Sequence, residues 1–568
     1  MRFWLALVLF VGGLTAGSIG VVNQVENTPI DTIIASQQLD QPTTYVMIPN
    51  KLLTAYSASP QITVRGGEIF IATARESDLV SWLEGSPYVE LRLSIDIARE
   101  TAELAEVLVS GNGNLVAPEG SDLWITEVAG RSRVSLDIEP DNQTAILVAS
   151  NGLELAPRSI SIEWDIPDEQ VEIPPITYVG VGLMALGSIA GLWAAIGFAN
   201  KHRSSRRRGP KPPRRRAPRR AVSQAGTSPR RGRRALRPDA FIALGLSSAL
   251  LTGCVAEYES PVLSPSPLAS PGVLTPALTK TQVSDILADI AEVVRVADEN
   301  NDRESLETRV TGPALEMRRF AYNLVSRLED GEGSLDPVLE GPIQLFLPPA
   351  TDTWPRNVMV VTGDEQLQML VLRQEGPREQ YKLFQYMALL PGTEFPDVAS
   401  ELTGANALKL DNRFLMVSPS LLGDAVGDLL NNGVDSLWVD IVDPNNDYIK
   451  DVASVQQGLA ETLSNANLDF AHELSEDPIV LLSTLDGGAL VGLYMIDTYT
   501  IIPKEPGDAV AIAGDEAILL GTSGSATGIE TRYGAMLLFH VPATGSEAQV
   551  RLLGATQQLL TAVALGSQ

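Results

Sequence analysis

The chain has one cysteine and three histidines in 568 residues. A single thiol excludes an intramolecular disulfide and every cysteine-cluster metal site. Three histidines leave little room for histidine-rich catalysis or metal binding. Basic residues are few, 42 against 70 acidic for a net charge of −28. Sixteen of those 42, fourteen Arg and two Lys, fall between Lys201 and Arg237 with no acidic residue among them. The other 531 residues carry 26 basic against 70 acidic side chains, a net of −44. Chemical motifs are also missing. No Asp-x-Asp, Gly-x-x-x-x-Gly-Lys, Gly-x-Ser-x-Gly or Ser-x-x-Lys occurs. The common nucleotide-sugar transferases, phosphate cradles and serine nucleophiles therefore lack their anchors.

Uncharged apolar runs are what the chain does have. Phe3–Val22 is twenty residues without a charge behind Arg2, which reads residues 1–23 as a signal anchor or signal peptide. Residues 176–199 form a 24-residue uncharged run, a transmembrane helix by length. Gly187 and Gly191 align small residues on one face of it, a seam for helix–helix contact. The third run, residues 240–254, is shorter and ends in Leu251-Thr252-Gly253-Cys254. That is the pattern of a bacterial lipobox: an apolar stretch behind a basic one, then small residues before a thiol that takes the lipid. Cys254 is the expected lipidation site, and the alternative is a membrane-embedded Cys behind a short anchor. Placing the basic stretch inside makes residues 200–239 a cytoplasmic, disordered loop, with 24–175 and 255–568 extracytoplasmic. The loop has five prolines between 210 and 229 and no aromatic to stack on a base. Membrane lipids, not nucleic acid, are its expected partners.

The fold class is that of a multidomain membrane protein. Alternation at Val89, Leu91 and Leu93, at Val134, Leu136 and Ile138, and at Ile160, Ile162 and Trp164 predicts an all-β sandwich over 24–175. Residues 255–280 are a Pro/Ser-rich tether. Beyond it the patterns are α+β, in two units at 281–395 and 396–568. Val283, Ile286, Leu287, Ile290, Val293, Val294 and Ala297 mark one helical face, and Pro313 opens a second helix. Strands are expected near 343–347, 357–362, 366–374 and 380–390. Helices near 417–431 and 449–474 follow, then strands near 478–484, 488–502, 508–520, 530–541 and 547–552. Phe320-Ala-Tyr322 and Phe470-Ala-His472 fall at comparable places in the two units. Helices before a curved antiparallel sheet give the order of cystatin-like and nuclear-transport-factor-like cones, here in tandem.

Asp122-Leu-Trp124, Ile146–Ser150, Ala156–Ser161, Gly253-Cys254 with Glu257-Tyr258, Arg309–Leu315 and Leu389-Leu-Pro-Gly392 carry a likeness over nearly the whole chain. In these the sequence resembles an uncharacterised family of actinobacterial membrane proteins, a domain of unknown function. Members are sometimes named glycosyltransferases automatically, a name that no residue here supports.

Candidate chemistry is sparse. Asp298-x-Asn300-x-Asp302 and Asp443-x-Asn445-x-Asp447 imitate the start of a calcium loop. They carry Arg303 and Tyr448 where the turn needs Gly, and Arg309 and Ser454 where it needs Glu, so they read as solvated turns. No metal and no cofactor are expected. Asp497, on a strand face with Met495, Tyr499 and Ile501, is the one candidate general base, with His540 on a neighbouring strand. The expected function is a non-enzymatic cell-envelope lipoprotein that scaffolds or binds envelope components, including other envelope proteins. An extracytoplasmic enzyme built on Asp497 in a cone pocket is the alternative.

Overall fold

The computed structural model describes residues 2–26, 32–165 apart from 57, 97–100, 140 and 142, then 175–201, 274–328 and 335–566. The lipobox residues Leu251, Thr252, Gly253 and Cys254, the Arg-rich segment from 202 and the tether up to 273 lie outside the described residues. The chain forms two compact bodies. One contains the two apolar helices; the other contains residues 33–164 together with the chain from 274 on.

Helix α1 (Arg2–Glu26) comes first. The β-rich region follows with β1 (Thr32–Gln38), β2 (Tyr45–Ile48), a short α2 (Asn50–Leu53), β3 (Pro60–Arg75), α3 (Glu76–Leu83), β4 (Tyr88–Asp96), β5 (Thr101–Val109), β6 (Thr126–Asp137), β7 (Thr144–Ala149) and β8 (Ser159–Asp165). The strands run β1-β8-β3-β7-β2-β4-β5, with β6 also on β3. The pairs β2–β7, β3–β6, β3–β7, β3–β8 and β4–β5 are antiparallel, and β2 with β4 is parallel. β3 is long enough to serve two sets of neighbours, β8 along its first half and β7 along its second. The strands thus share one hydrogen-bonded path where the alternation predicts two stacked sheets. Every residue of β2 and β7 is buried, because the sheet is covered on both faces here. Ile62, Val64, Ile71, Val148 and Trp164 belong to one apolar cluster. Tyr45, Phe70, Trp82, Trp124 and Leu147 belong to the other.

Helix α4 (Pro175–Lys201) includes Ile176–Ile196, which is long and apolar enough to cross a membrane. It packs antiparallel to α1 through small residues. A Cβ on Gly187 would meet the backbone of Phe10 at 2.7 Å, one on Gly180 the backbone of Gly17 at 2.4 Å, and one on Gly13 the backbone of Met184 at 2.6 Å. Gly191 faces Ala6. Where glycines meet, two backbones approach closely; most large side chains of both helices, Trp4 and Trp193 among them, point outward.

From Thr279 the chain is α+β. A capping box of Thr279 and Gln282 opens α5 (Lys280–Asn300). It buries six of the seven positions that the periodicity marks, with Val293 half-buried. Next come α6 (Arg303–Leu306), α7 (Gly312–Val325), β9 (Ile343–Leu347), β10 (Arg356–Thr362), β11 (Gln368–Gln374) and β12 (Lys382–Leu389). The second half repeats this order with α8 (Pro419–Asn432), α9 (Asp447–Thr462), β13 (Ala466–Leu474), β14 (Val480–Ser483) and β15 (Ala489–Pro503), then β16 (Val510–Ala511), α10 (Gly514–Leu520), β17 (Gly524–Ser525), β18 (Ile529–Val541) and β19 (Arg551–Ala564). One nine-stranded sheet joins the halves in the order β13-β15-β18-β19-β12-β11-β10-β9, with β14 on β15. The final strands of the two halves meet at Ala388–Ala555 and Leu389–Gly554.

Three expected elements differ. The strand near 547–552 begins instead at Arg551 and runs to Ala564, because the apolar C-terminal segment continues it. The helix near 449–474 ends at Thr462, and residues 466–474 form β13. Phe320 therefore lies on a helix and Phe470 on a strand, so the two triplets are not equivalent. The strand near 508–520 is instead two residues of β16 followed by α10. Asp515 and Glu516 sit in the first turn of α10, and Gly521 caps it in the left-handed conformation.

Candidate functional site

Asp497 lies on β15 with its side chain fully buried. β13 pairs with β15 so that His472 stands directly opposite Asp497, and Nδ1 of His472 is 2.6 Å from Oδ1 of Asp497. The Gln557 amide donates to Oδ2 at 2.9 Å from β19. The Tyr448 hydroxyl of α9 reaches the same oxygen at 3.5 Å. On the far side of the imidazole, Nε2 of His472 is 2.9 Å from the Gln456 amide nitrogen, also on α9. The tautomer that satisfies both contacts donates from Nδ1 to the carboxylate and accepts at Nε2 from Gln456. Burial, then the Asp497 charge, raises the pKa of the Tyr448 and Tyr499 hydroxyls, so both stay protonated at neutral pH. α9 closes the network with only two of its own residues, Ile449 and Val452, fully buried.

His540 does not join this network. It lies on β18 opposite Leu490, whereas Asp497 faces Tyr533. Seven ladder positions separate the two, about 23 Å along the sheet. The neighbour of His540 is Asp486, with Oδ2 3.1 Å from Nε2. Burial lowers the pKa of His540, and Asp486 opposes that shift. The histidine that faces Asp497, His472, sits where the apolar pattern predicts a helix, and its strand conformation is what turns it to the carboxylate.

The calcium-like stretches have other work. Asp298 accepts from Arg318 at 2.5 Å and from the Tyr322 hydroxyl at 2.6 Å. Asp302 caps α6 through the amides of Glu304 and Ser305. Asp443 closes a turn onto the amide of Asn445, and Asn446 caps α9. Among the described residues, no group of three or more His, Cys, Asp and Glu side chains is placed to hold a metal ion.

The densest polar chemistry lies between the β-rich region and the residues from 274 on. Asp78 is held by two arginines, Arg75 at 2.8 Å and Arg356 at 2.6 Å, with side chains 2 %, 10 % and 0 % exposed respectively. Arg75 also donates to the carbonyls of Thr275 and Thr351. The guanidinium of Arg356 stacks 3.7 Å over the Trp354 ring. Asp122 accepts at 2.7 Å from Arg309 and at 2.6 Å from the amide of Tyr381. Burial raises the pKa of Asp122, and the Arg309 charge pulls it partly back. Arg378 donates to the carbonyls of Trp82, Glu84 and Asn114 and to the Ser86 hydroxyl, and lies over the Trp82 ring. Apart from the pair of Asp78 with Arg75 and the stacking of Arg356 on Trp354, these are contacts between residues far apart in sequence, and no local pattern announces them. Two open depressions, about 430 and 90 Å³, lie on the β-rich region and reach none of these groups.

Residues 274–564, just over half of the chain, match a family described as a domain of unknown function, DUF8094. No curated protein and no solved structure matches the chain. The chain belongs to the DUF8094 family.

Proposed function

We propose that this chain is a non-enzymatic membrane protein of an actinobacterial cell envelope. Its two folded regions stand outside the cytoplasm and act as one rigid scaffold or binding body. The contact made by Arg309, Arg356 and Arg378 carries this reading. Ion pairs this buried form only when both partners share a compartment. The chain between Asp165 and Thr275 must then cross the membrane an even number of times. With one crossing at Ile176–Ile196, the return falls to the apolar residues 240–253, and the Arg-rich stretch lies on the far side.

The antiparallel packing of α1 on α4 supports the same arrangement, since it brings the end bearing Arg2 beside the end bearing Lys201. Both basic ends are then cytoplasmic. The outward apolar side chains of the pair suit lipid. In this reading α1 is a retained anchor, and Cys254 takes a lipid where the chain re-emerges. The two α+β halves, each with helices before strands, act as cone-like units.

The test uses Cys254→Ser as background, with single cysteines at the exposed positions 153 and 402 and at 223. A membrane-impermeant maleimide on intact cells labels 153 and 402, and labels 223 only after permeabilisation. Labelling of 223 from outside, or protection of 153 or 402, overturns the reading.

The hydrogen-bonded pair of His472 and Asp497 favours a second reading, an extracytoplasmic enzyme with Asp497 as general base. It requires α9 to move away, because a base must come within about 3 Å of the proton it takes. Full complementation of a deletion strain by a folded Asp497→Asn chain removes this reading.

A further inference from the structure

We propose that the face bearing Arg309, Arg356 and Arg378 is a self-sufficient docking surface for the β-rich region. The two then persist as a two-chain complex once the connector between Asp165 and Thr275 is cut. The contact has the anatomy of a stable interface between separate proteins: arginine and aromatic anchors at the centre, with buried charges paired. Trp354 packs against the cluster of Tyr45, Trp82 and Trp124. Around it, Arg356 crosses to Asp78, Arg309 to Asp122, and Arg378 to three carbonyls of the 82–114 stretch. Gln282 and Gln380 add hydrogen bonds to the carbonyls of Asp122 and Gly120. The two carboxylates that receive arginines across the contact, Asp78 and Asp122, belong to the β-rich region, and Arg75 of that region pairs with Asp352 in return, while Arg309 keeps a second partner, Asp289, on its own side. The charges across the contact are thus complementary and set the register of docking.

One consequence concerns maturation. Cleavage before Cys254, as the lipobox pattern implies, would leave residues 254–568 bound to the N-terminal product. The α1 and α4 helices would then hold the C-terminal region at the membrane as well as any lipid does.

The test replaces residues 222–227 of the full chain with a specific protease site. The purified protein is cut in detergent, so the result does not depend on membrane orientation. Size-exclusion chromatography at physiological salt is expected to show both fragments eluting together. Elution apart, with each fragment keeping its own thermal transition, overturns the proposal. The Arg309→Asp, Arg356→Asp double variant is expected to weaken fragment association on the order of 100-fold. Unchanged co-elution of that variant overturns the assignment of the surface. Should the double variant not fold, the charge swap Asp122→Arg with Arg309→Asp decides, made throughout in an Asp289→Asn background because Asp289 also bonds Arg309. Fragments of the swap co-elute, whereas fragments of Arg309→Asp alone separate; any other pattern counts against the proposal.

Discussion

At the scale of single residues, charge in this chain matters where water is excluded. Arg295 bonds both Glu292 and Glu299 on the surface of α5, where solvent screens the pairs and little stability results. Arg309 is different, since it and Asp122 are 7 % and 6 % exposed. Arg309→Ala leaves Asp122 buried with only an amide donor, and we expect a loss of about 3–5 kcal/mol, read from urea unfolding. The joint replacement Asp122→Leu with Arg309→Met removes both charges and should recover most of that loss. None of this is legible in the sequence. Asp122 and Arg309 stand out there only as landmarks of a family likeness, and a pair 187 positions apart leaves no local mark. Asp497 was legible because its alternation with Met495 and Tyr499 places it on an apolar face. Its partner was not, because the small and apolar residues around 466–474 suit a helix as well as a strand.

Elements follow the sequence where period and ends agree. α5 has both, with its apolar face and the Thr279–Gln282 capping box. The end of α9 has neither a glycine nor a proline stop, so its pattern runs on into β13. In α10 the end signals, Asp515 and Glu516 at the start and Gly521 after the end, contradict the strand reading, and the structure follows the end signals. Packing adds what the pattern does not contain. Gly427 of α8 faces the carbonyl of His472, and an added Cβ would stand 2.5 Å from that oxygen. Gly427→Ala gains about 1 kcal/mol of helix propensity but forces α8 off β13 at a cost of about 1–3 kcal/mol. We expect net destabilisation, measured as a lower thermal midpoint. The sign is opposite to that of alanine at an exposed helical glycine such as Gly458, which has nothing within 4 Å of an added Cβ.

For the whole molecule, the sheet order is what the residue pattern could not supply. Two α+β halves in succession predict two sheets; the structure joins them through β12 and β19. The core of the first half draws on Leu490, Tyr494, Met536 and Leu538 of the second. Meeting by their last strands leaves the first strands, β9 and β13, at the ends of the sheet. Each end is guarded differently. Pro342 precedes β9, and Pro348 and Pro349 follow it, so a neighbouring chain has few amides to pair with there. β13 presents the exposed carboxylates of Asp469 and Glu473, which repel a second acidic copy. A protein confined to two dimensions meets its own kind far more often than one free in solution. In the membrane arrangement proposed above, this strand order would let the chain crowd on a surface without growing, edge to edge, into a fibre.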